Sequence, residues 1–166
     1  VVKIALKEFA GDMKAVTGFE AKEKNGAPIQ IYQLDQLTNK EFSAVEKLGA
    51  PLHLIITGKD AFYIGTRKKK VIVIGSNARG TAYAIMKLSE LAGVSPLMAW
   101  NDLQPAQRKS LYTPVDQQWI EIPRIEFRGL ALNNSQWMKP QNYSRIARLM
   151  LRLRANTLWQ VDGKHE

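Results

Sequence analysis

The sequence has 166 residues, 45% of them hydrophobic, with no cysteine and a formal net charge of +9 from 24 Lys and Arg against 15 Asp and Glu. That length suits one ordinary domain, or one domain plus a fragment. The composition excludes disulfides and thiolate metal sites, and no run approaches the ~18 apolar residues that a transmembrane helix needs.

The sequence opens at Val1 without Met and without a visible signal peptide, which reads as a start set by processing or trimming. Val1, Ile4, Ala5, Phe9, Met13 and Val16 recur at helical intervals, and Thr17-Gly18 ends that helix. A strand preceding it would complete the pattern. Lys22 to Ala27 is polar, with an Asn25-Gly26 turn signal. Pro28 to Leu34 reads as a strand. Asn39 to Leu48 reads as a short helix with Phe42, Val45 and Leu48 on its apolar face. Leu52 to Thr57 and Ala61 to Gly65 read as strands joined by a hairpin turn at Gly58-Lys59-Asp60. His53, inside the first of these, has no second ligand at metal spacing and reads as a packed or edge residue. Arg67 to Lys70 lies between strand-like runs and reads as a solvated hairpin turn.

Val71 to Pro96 is the organising stretch. Val71 to Ile74 is a continuous β-branched run, which suits a strand covered on both faces and central in its sheet. Ser76 or Asn77 can cap the following helix, and Gly93 can stop it in a left-handed conformation. Tyr83, Met86 and Leu91 lie near helical spacing, with Ala82, Ile85 and Leu88 widening the apolar face. Gly75 and Gly80 have the outer spacing of a phosphate-binding loop. Thr81 stands where that loop needs Lys, and Asn77 where the dinucleotide fingerprint needs its second glycine. The expectation is a capped turn with Arg79 in a structural hydrogen bond, and no cofactor.

Pro96 to Thr113 is a connection, and Trp119 to Ile122 is a strand ended by Pro123. Ile125 to Leu132 is a further strand with a polar end at Asn133-Asn134-Ser135. Pro140 suits a helix start. Tyr143, Ile146, Ala147, Met150 and Leu153 continue that helix, and Asn156 to Val161 is another strand. Arg145, Arg148, Arg152 and Arg154 make a basic stripe on the same helix. Neither basic cluster carries the interleaved aromatics that single-stranded nucleic acid uses, so neither nucleic acid nor a membrane is the expected partner. Strand, helix, strand is the opening of a (β/α)8 barrel, which in full needs about 250 residues.

The stretch GSNARGTAYAIMKLSELAGVSP resembles the N-terminal domain of family 115 glycoside hydrolases, the xylan α-glucuronidases. The shared positions are Gly75, Ser76, Arg79, Gly80, Thr81, Leu88, Ser89, Glu90, Gly93, Val94, Ser95 and Pro96. Val16-Thr17-Gly18, Arg128-Gly129 on the first barrel strand, and Leu149 to Trp159 extend the resemblance over nearly the whole chain. It is more distantly similar to family 20 hexosaminidases. The resemblance implies an α/β fold. Residues 1–115 form an N-terminal accessory domain, a mixed sheet flanked by helices. Residues 116–166 hold a linker strand and the first β-α-β segment of a truncated catalytic-type barrel. It also implies a carbohydrate ligand, the remainder of a larger polypeptide as partner, and a secreted or periplasmic location.

Barrel chemistry gathers at the C-terminal ends of strands, and glycoside hydrolysis generally uses two carboxyl groups. The resembled family has Asn-Asp-Glu at the first strand end, where this chain has Asn133, Asn134 and Ser135. After the second strand it departs again, with Gln160, Val161, Asp162 and Gly163. Of the family's aromatic run after GVSP, only Trp100 remains among Leu97 to Trp100. Asn133, Asn134, Asp162 and Trp100 are therefore the candidate substrate-binding residues. No catalytic residue is assigned within the chain, and no metal or cofactor site. The expected activity is glycoside hydrolysis by the full-length parent, α-glucuronidase-like on plant polysaccharide. The alternatives are a family 20-like hexosaminidase and a non-catalytic glycan-binding or scaffold protein.

Overall fold

The computed structural model describes residues 1–67, 69–132 and 139–160, the side chains of Pro140, Gln141 and Gln160 excepted. The chain runs α1 (Val2–Thr17), β1 (Ile29–Gln33), a 3-10 turn (Leu34–Gln36), α2 (Asn39–Glu46), α3 (Leu52–Ile55), β2 (Phe62–Arg67), β3 (Lys70–Gly75) and α4 (Ala78–Leu91). It continues with α5 (Met98–Asn101), β4 (Gln118–Glu121), β5 (Gly129–Leu132), α6 (Pro140–Arg152) and β6 (Thr157–Gln160). Four strands form a mixed sheet in the order β1-β3-β2-β4, and β5 and β6 form a second, two-stranded sheet. β1 is parallel to β3, while β2 is antiparallel to both β3 and β4.

The continuous apolar run reads out as expected: β3 is an interior strand, and Ile72 to Ile74 are at most 1% exposed. Its side chains alternate between two cores. Val73, with Phe62 and Ile64 of β2, faces Ala5, Phe9 and Met13 of α1 and Ala82 to Met86 of α4. Ile72 and Ile74, with Tyr63, face Leu34, Val45, Leu52 and Ile55 on the other side. Two helical layers therefore sandwich the sheet, which explains why β2 and β3 lack any polar alternation.

Local signals set the helix ends. Gly18 closes α1 at φ 80, a left-handed cap. Thr38 and Glu41 form a reciprocal capping box at the start of α2. Asn77 caps α4, its side chain accepting from Gly80 N at 2.9 Å. Gly80 has a packing reason as well: a Cβ there would run into the Ala61 carbonyl, so α4 starts directly over the turn that precedes β2.

Three expectations are corrected. Leu52 to Thr57 is not a strand, because Leu52–Ile55 is a helical turn, α3. Leu52 and Ile55 are buried at an i,i+3 spacing while Leu54 is 41% exposed. A short apolar run fits either period until its burial is known. Gly58-Lys59-Asp60 is accordingly a helix-to-strand turn rather than a hairpin. The second corrected strand, β5, starts at Gly129, four residues later than Ile125. Third, the basic stripe is not one charged face of a single helix: Arg145 and Arg148 are exposed on α6, but Arg152 turns inward and Arg154 lies beyond the end of α6. Arg152 is 9% exposed and clamps Asp12 of α1 through both Nη atoms, at 2.8 and 2.9 Å, with Glu8 at 3.0 Å. Ile146 and Met150 are buried, while Leu153 is 45% exposed.

Asp12 is 2% exposed, so its charge depends on that clamp. Arg152→Ala is expected to cost about 3–5 kcal/mol, because it strands a buried carboxylate. Arg152→Lys should recover only part of this, lacking the two-pronged geometry. Urea midpoints of the three proteins read the effect, and an unchanged midpoint for the alanine variant would contradict it.

Candidate functional site

β5 and β6 are parallel, with Gly129 opposite Thr157 and Leu132 opposite Gln160. The 13-residue α6 connects them, long enough for the crossover a parallel pair requires. Gly129 is needed here, since a Cβ would run into the Thr157 carbonyl. The preceding Arg128 holds the approach to the strand. Its Nη1 donates to Ile125 O at 2.6 Å and its Nε to Arg154 O at 3.1 Å. The Arg-Gly pair thus performs two structural tasks: the arginine ties together the segments entering both strands, and the glycine lets the strands meet.

The candidate residues at the C-terminal strand ends, Asn133, Asn134 and Asp162, lie outside the described residues. Trp100 is described and half-buried in α5. The Arg145 guanidinium lies 4.7 Å from its ring centroid and donates to Ala99 O at 2.9 Å. A cation over an indole face is a favourable contact. It places Trp100 against α6, so the structure brings Trp100 to the helix between the two strands.

The densest polar cluster lies at the opposite, N-terminal ends of β5 and β6, and its centre is Asp60. Asp60 is 1% exposed and sits at φ 60, a left-handed conformation that Asp tolerates. Its Oδ1 accepts from Asn77 Nδ2 at 3.1 Å and Arg79 Nε at 2.9 Å. Its Oδ2 accepts from Asn156 Nδ2 at 3.3 Å and Arg128 Nη2 at 3.5 Å. Asn156 also accepts from Arg128 N at 2.9 Å and donates to Glu126 O at 2.7 Å. Lys59 pairs with Glu126 beside it. Burial pushes the Asp60 carboxyl up. Hydrogen bonds from Arg79, Asn77 and Asn156, with the Arg79 charge, outweigh burial and hold it below the ordinary aspartate range. A carboxylate whose two oxygens are each bonded twice by side chains from separate segments is a fastening between those segments.

Sequence reading identified Arg79 and Arg128 but not Asp60 or Asn156. Asp60 stood after a Gly-Lys pair and looked like an ordinary turn residue. Only the folded chain brings Arg128 and Asn156 to it, 68 and 96 positions away. Glu90 was noted only as a motif position. It accepts from Arg154 Nη1 at 2.9 Å and also pairs with Lys87. Burial pushes its carboxyl up, but these two partners outweigh that and leave it lowered.

The fold is of the kind found in carbohydrate-active enzymes. The chain is similar to the solved structure of a family GH115 4-O-methyl-α-glucuronidase, BtGH115A, with specificity for decorated arabinogalactans: TM-score 0.84, 28% identity, 96% of this chain and 23% of that one. It is also similar to the structure of CpGH84D, at TM-score 0.56 and 13% identity, covering 99% of this chain and 25% of that one, a likeness of fold alone. The resemblance to family 115 read from the motifs is thus present in the three-dimensional structure, while neither structure is a family 20 enzyme. The chain spans about a quarter of the length of these solved structures. No family model and no curated protein matches it.

Asp60→Asn is expected to cost about 2–3 kcal/mol at neutral pH, because an amide turns its NH2 toward two of the four donors. The depressed carboxyl stabilises the fold above its unfolded value of about 3.9 and loses that contribution as pH falls below it. Between about pH 4 and pH 2 the parent should therefore lose stability more steeply than Asp60→Asn. Thermal unfolding followed across that range measures the difference, and parallel curves would count against it.

Proposed function

We propose that residues 1–166 are the N-terminal portion of a glycoside hydrolase acting on plant polysaccharide, α-glucuronidase-like in substrate. In this reading residues 1–115 are an accessory α/β domain, and residues 116–166 are the linker strand and the opening of a (β/α)8 catalytic barrel. The observation that carries it is the similarity to a 4-O-methyl-α-glucuronidase at TM-score 0.84 over 96% of the chain.

Local features support the barrel part. β5–α6–β6 is a parallel strand–helix–strand unit, and the far edge of β6 meets no strand among the described residues. Trp159 and Phe127 are 67% and 71% exposed, an apolar surface that later strands of a longer polypeptide would cover. The linker strand of this division is β4, which joins the first sheet through β2.

The substrate-contacting set is Asn133, Asn134, Asp162 and Trp100, with a carbohydrate as ligand rather than nucleic acid or membrane. Side-chain amides at a strand end donate to and accept from sugar hydroxyls but cannot replace a catalytic carboxylate. The acid and its partner carboxylate would then come from later strands. The absence of a carboxylate in Asn133-Asn134-Ser135 favours one second reading, a non-catalytic glycan-binding protein of the same fold.

Two assays test this. The longer polypeptide carrying residues 1–166 should release 4-O-methylglucuronic acid from glucuronoxylan or a decorated arabinogalactan. The 166-residue chain alone should turn over neither these nor aryl glycosides above a heat-killed control. Binding without release supports the second reading, and release of N-acetylhexosamine points to a family 20-like activity instead. A folded long polypeptide that neither binds nor cleaves any of these glycans overturns the proposal.

A further inference from the structure

The face of β2 that looks toward α2 and α3 carries two buried donors without partners. Tyr63, Gly65 and Arg67 share this face, because alternate strand residues point the same way. Tyr63 is 1% exposed and belongs to the core formed with Val45, Ile55 and Ile72. Its ring lies along the strand over Gly65, where a Cβ would run into the hydroxyl. That hydroxyl is buried and bonds to nothing among the described residues. Arg67, next on the face, is partly buried, and its Nε is likewise buried without a partner. Its guanidinium lies over Gly49, in the turn after α2, where a Cβ would meet Nη2 and Cζ at 3.6 and 3.7 Å. Lys70 of β3 stands directly opposite Arg67, and Lys69 beside it is exposed. Among the described residues no ion pair reaches Arg67, Lys69 or Lys70.

A buried donor left unpaired keeps its full desolvation cost, and like charges directly opposite in a strand pair repel. One negatively charged acceptor relieves both. A guanidinium edge beside an ammonium suits a carboxylate, which accepts at both oxygens. Glu46, three residues before Gly49, is exposed and makes no ion pair with Arg67. The Tyr63 hydroxyl over Gly65 and the base of the Arg67 side chain lie about 7 Å apart along the strand, a gap that one carboxylate and the reach of the arginine span. We infer that Arg67, Lys70 and the Tyr63 hydroxyl form a binding site for a carboxylate, carried by a small acid or a sugar acid. Arg67 and Lys70 donate from the open side and Tyr63 from the core side. The site belongs to the first sheet rather than to β5 and β6, and it does not depend on the hydrolase reading.

The test is an NMR titration of the 166-residue protein at constant ionic strength, with acetate, glucuronate, glucose and inorganic phosphate as probes. Saturable binding of a carboxylate is expected, with the largest shifts at the Arg67 Nε–H and at the amides of Gly49, Gly65 and Lys70. Tighter binding of glucuronate than of acetate assigns a sugar acid, and equal binding a small acid. Glucose should not bind. Arg67→Lys keeps the charge but lacks Nε and the planar fork, and it should weaken binding by about tenfold. Tyr63→Phe keeps the packing and removes only the hydroxyl. Without a probe it should unfold at the parent's temperature or above, and the bound carboxylate should raise that temperature less than in the parent. The inference is overturned by no saturable binding of either carboxylate, phosphate binding alone included. Undiminished binding to Arg67→Lys, a Tyr63→Phe protein destabilised without any probe, or shifts centred on the α6 arginines overturn it equally.

Discussion

A single buried carboxylate, Asp60, holds the architecture together. It belongs to the turn that starts β2, yet its four donors come from the start of α4 and from the residues that lead into β5 and β6. Removing a carboxylate from water costs several kcal/mol unless both oxygens are satisfied. Here each oxygen has two partners, so the carboxylate is stable only when all three segments converge. That convergence sets the second sheet against the first. It also accounts for neighbouring motif residues: Gly80 lets α4 pass close over the Asp60-Ala61 turn, and Gly129 lets β5 meet β6 just beyond Arg128 and Asn156.

The arginines of the C-terminal segment extend this fastening along a second line. Arg145 lies over Trp100, Arg148 approaches Glu8 at 3.4 Å, Arg152 clamps Asp12, and Arg154 bridges Glu90 and Glu121. Arg145, Arg148 and Arg152 recur at three- and four-residue spacing, so one face of α6 meets α5 and α1. Leu151, next to that face, enters the core formed by α1, α4 and the sheet. Exposed pairs such as Arg148 with Glu8 contribute little, whereas the buried Arg152 clamp fixes the helix in position. The positive charge of this segment is therefore largely paired within the chain, with Arg152 alone of these four arginines buried.

The first sheet was legible because its signals are local. A β-branched run, a Gly-stopped helix and an apolar stripe at 3.6-residue spacing each specify their element without distant partners. α3 was not legible, since Leu52, Leu54 and Ile55, with His53 among them, make too short a run to carry a period of its own. Asp12 offered a hint: it falls on the buried stripe of α1 between Phe9 and Val16, a charge where only a partner could justify it. That partner, Arg152, lies 140 positions away, a distance no spacing rule spans. Asp60 and Asn156 were hidden for the same reason. At the candidate site, residue type pointed to sugar contacts at Asn133, Asn134 and Asp162, which lie outside the described residues. Trp100 was legible only as a candidate sugar contact, and its contact with Arg145 shows what it packs against.

The central claim is that Asp60 couples β5–α6–β6 to the first sheet as one cooperative unit. Native-state hydrogen exchange on the parent and on Asp60→Asn tests it most directly. In the parent, amides of β5 and β6 should open with the same free energy as those of β2 and β3. In the variant, amides of Gly129 to Leu132 and Thr157 to Gln160 should exchange ahead of the first sheet. Independent opening of the two sheets in the parent, or unchanged coupling in the variant, would contradict the account.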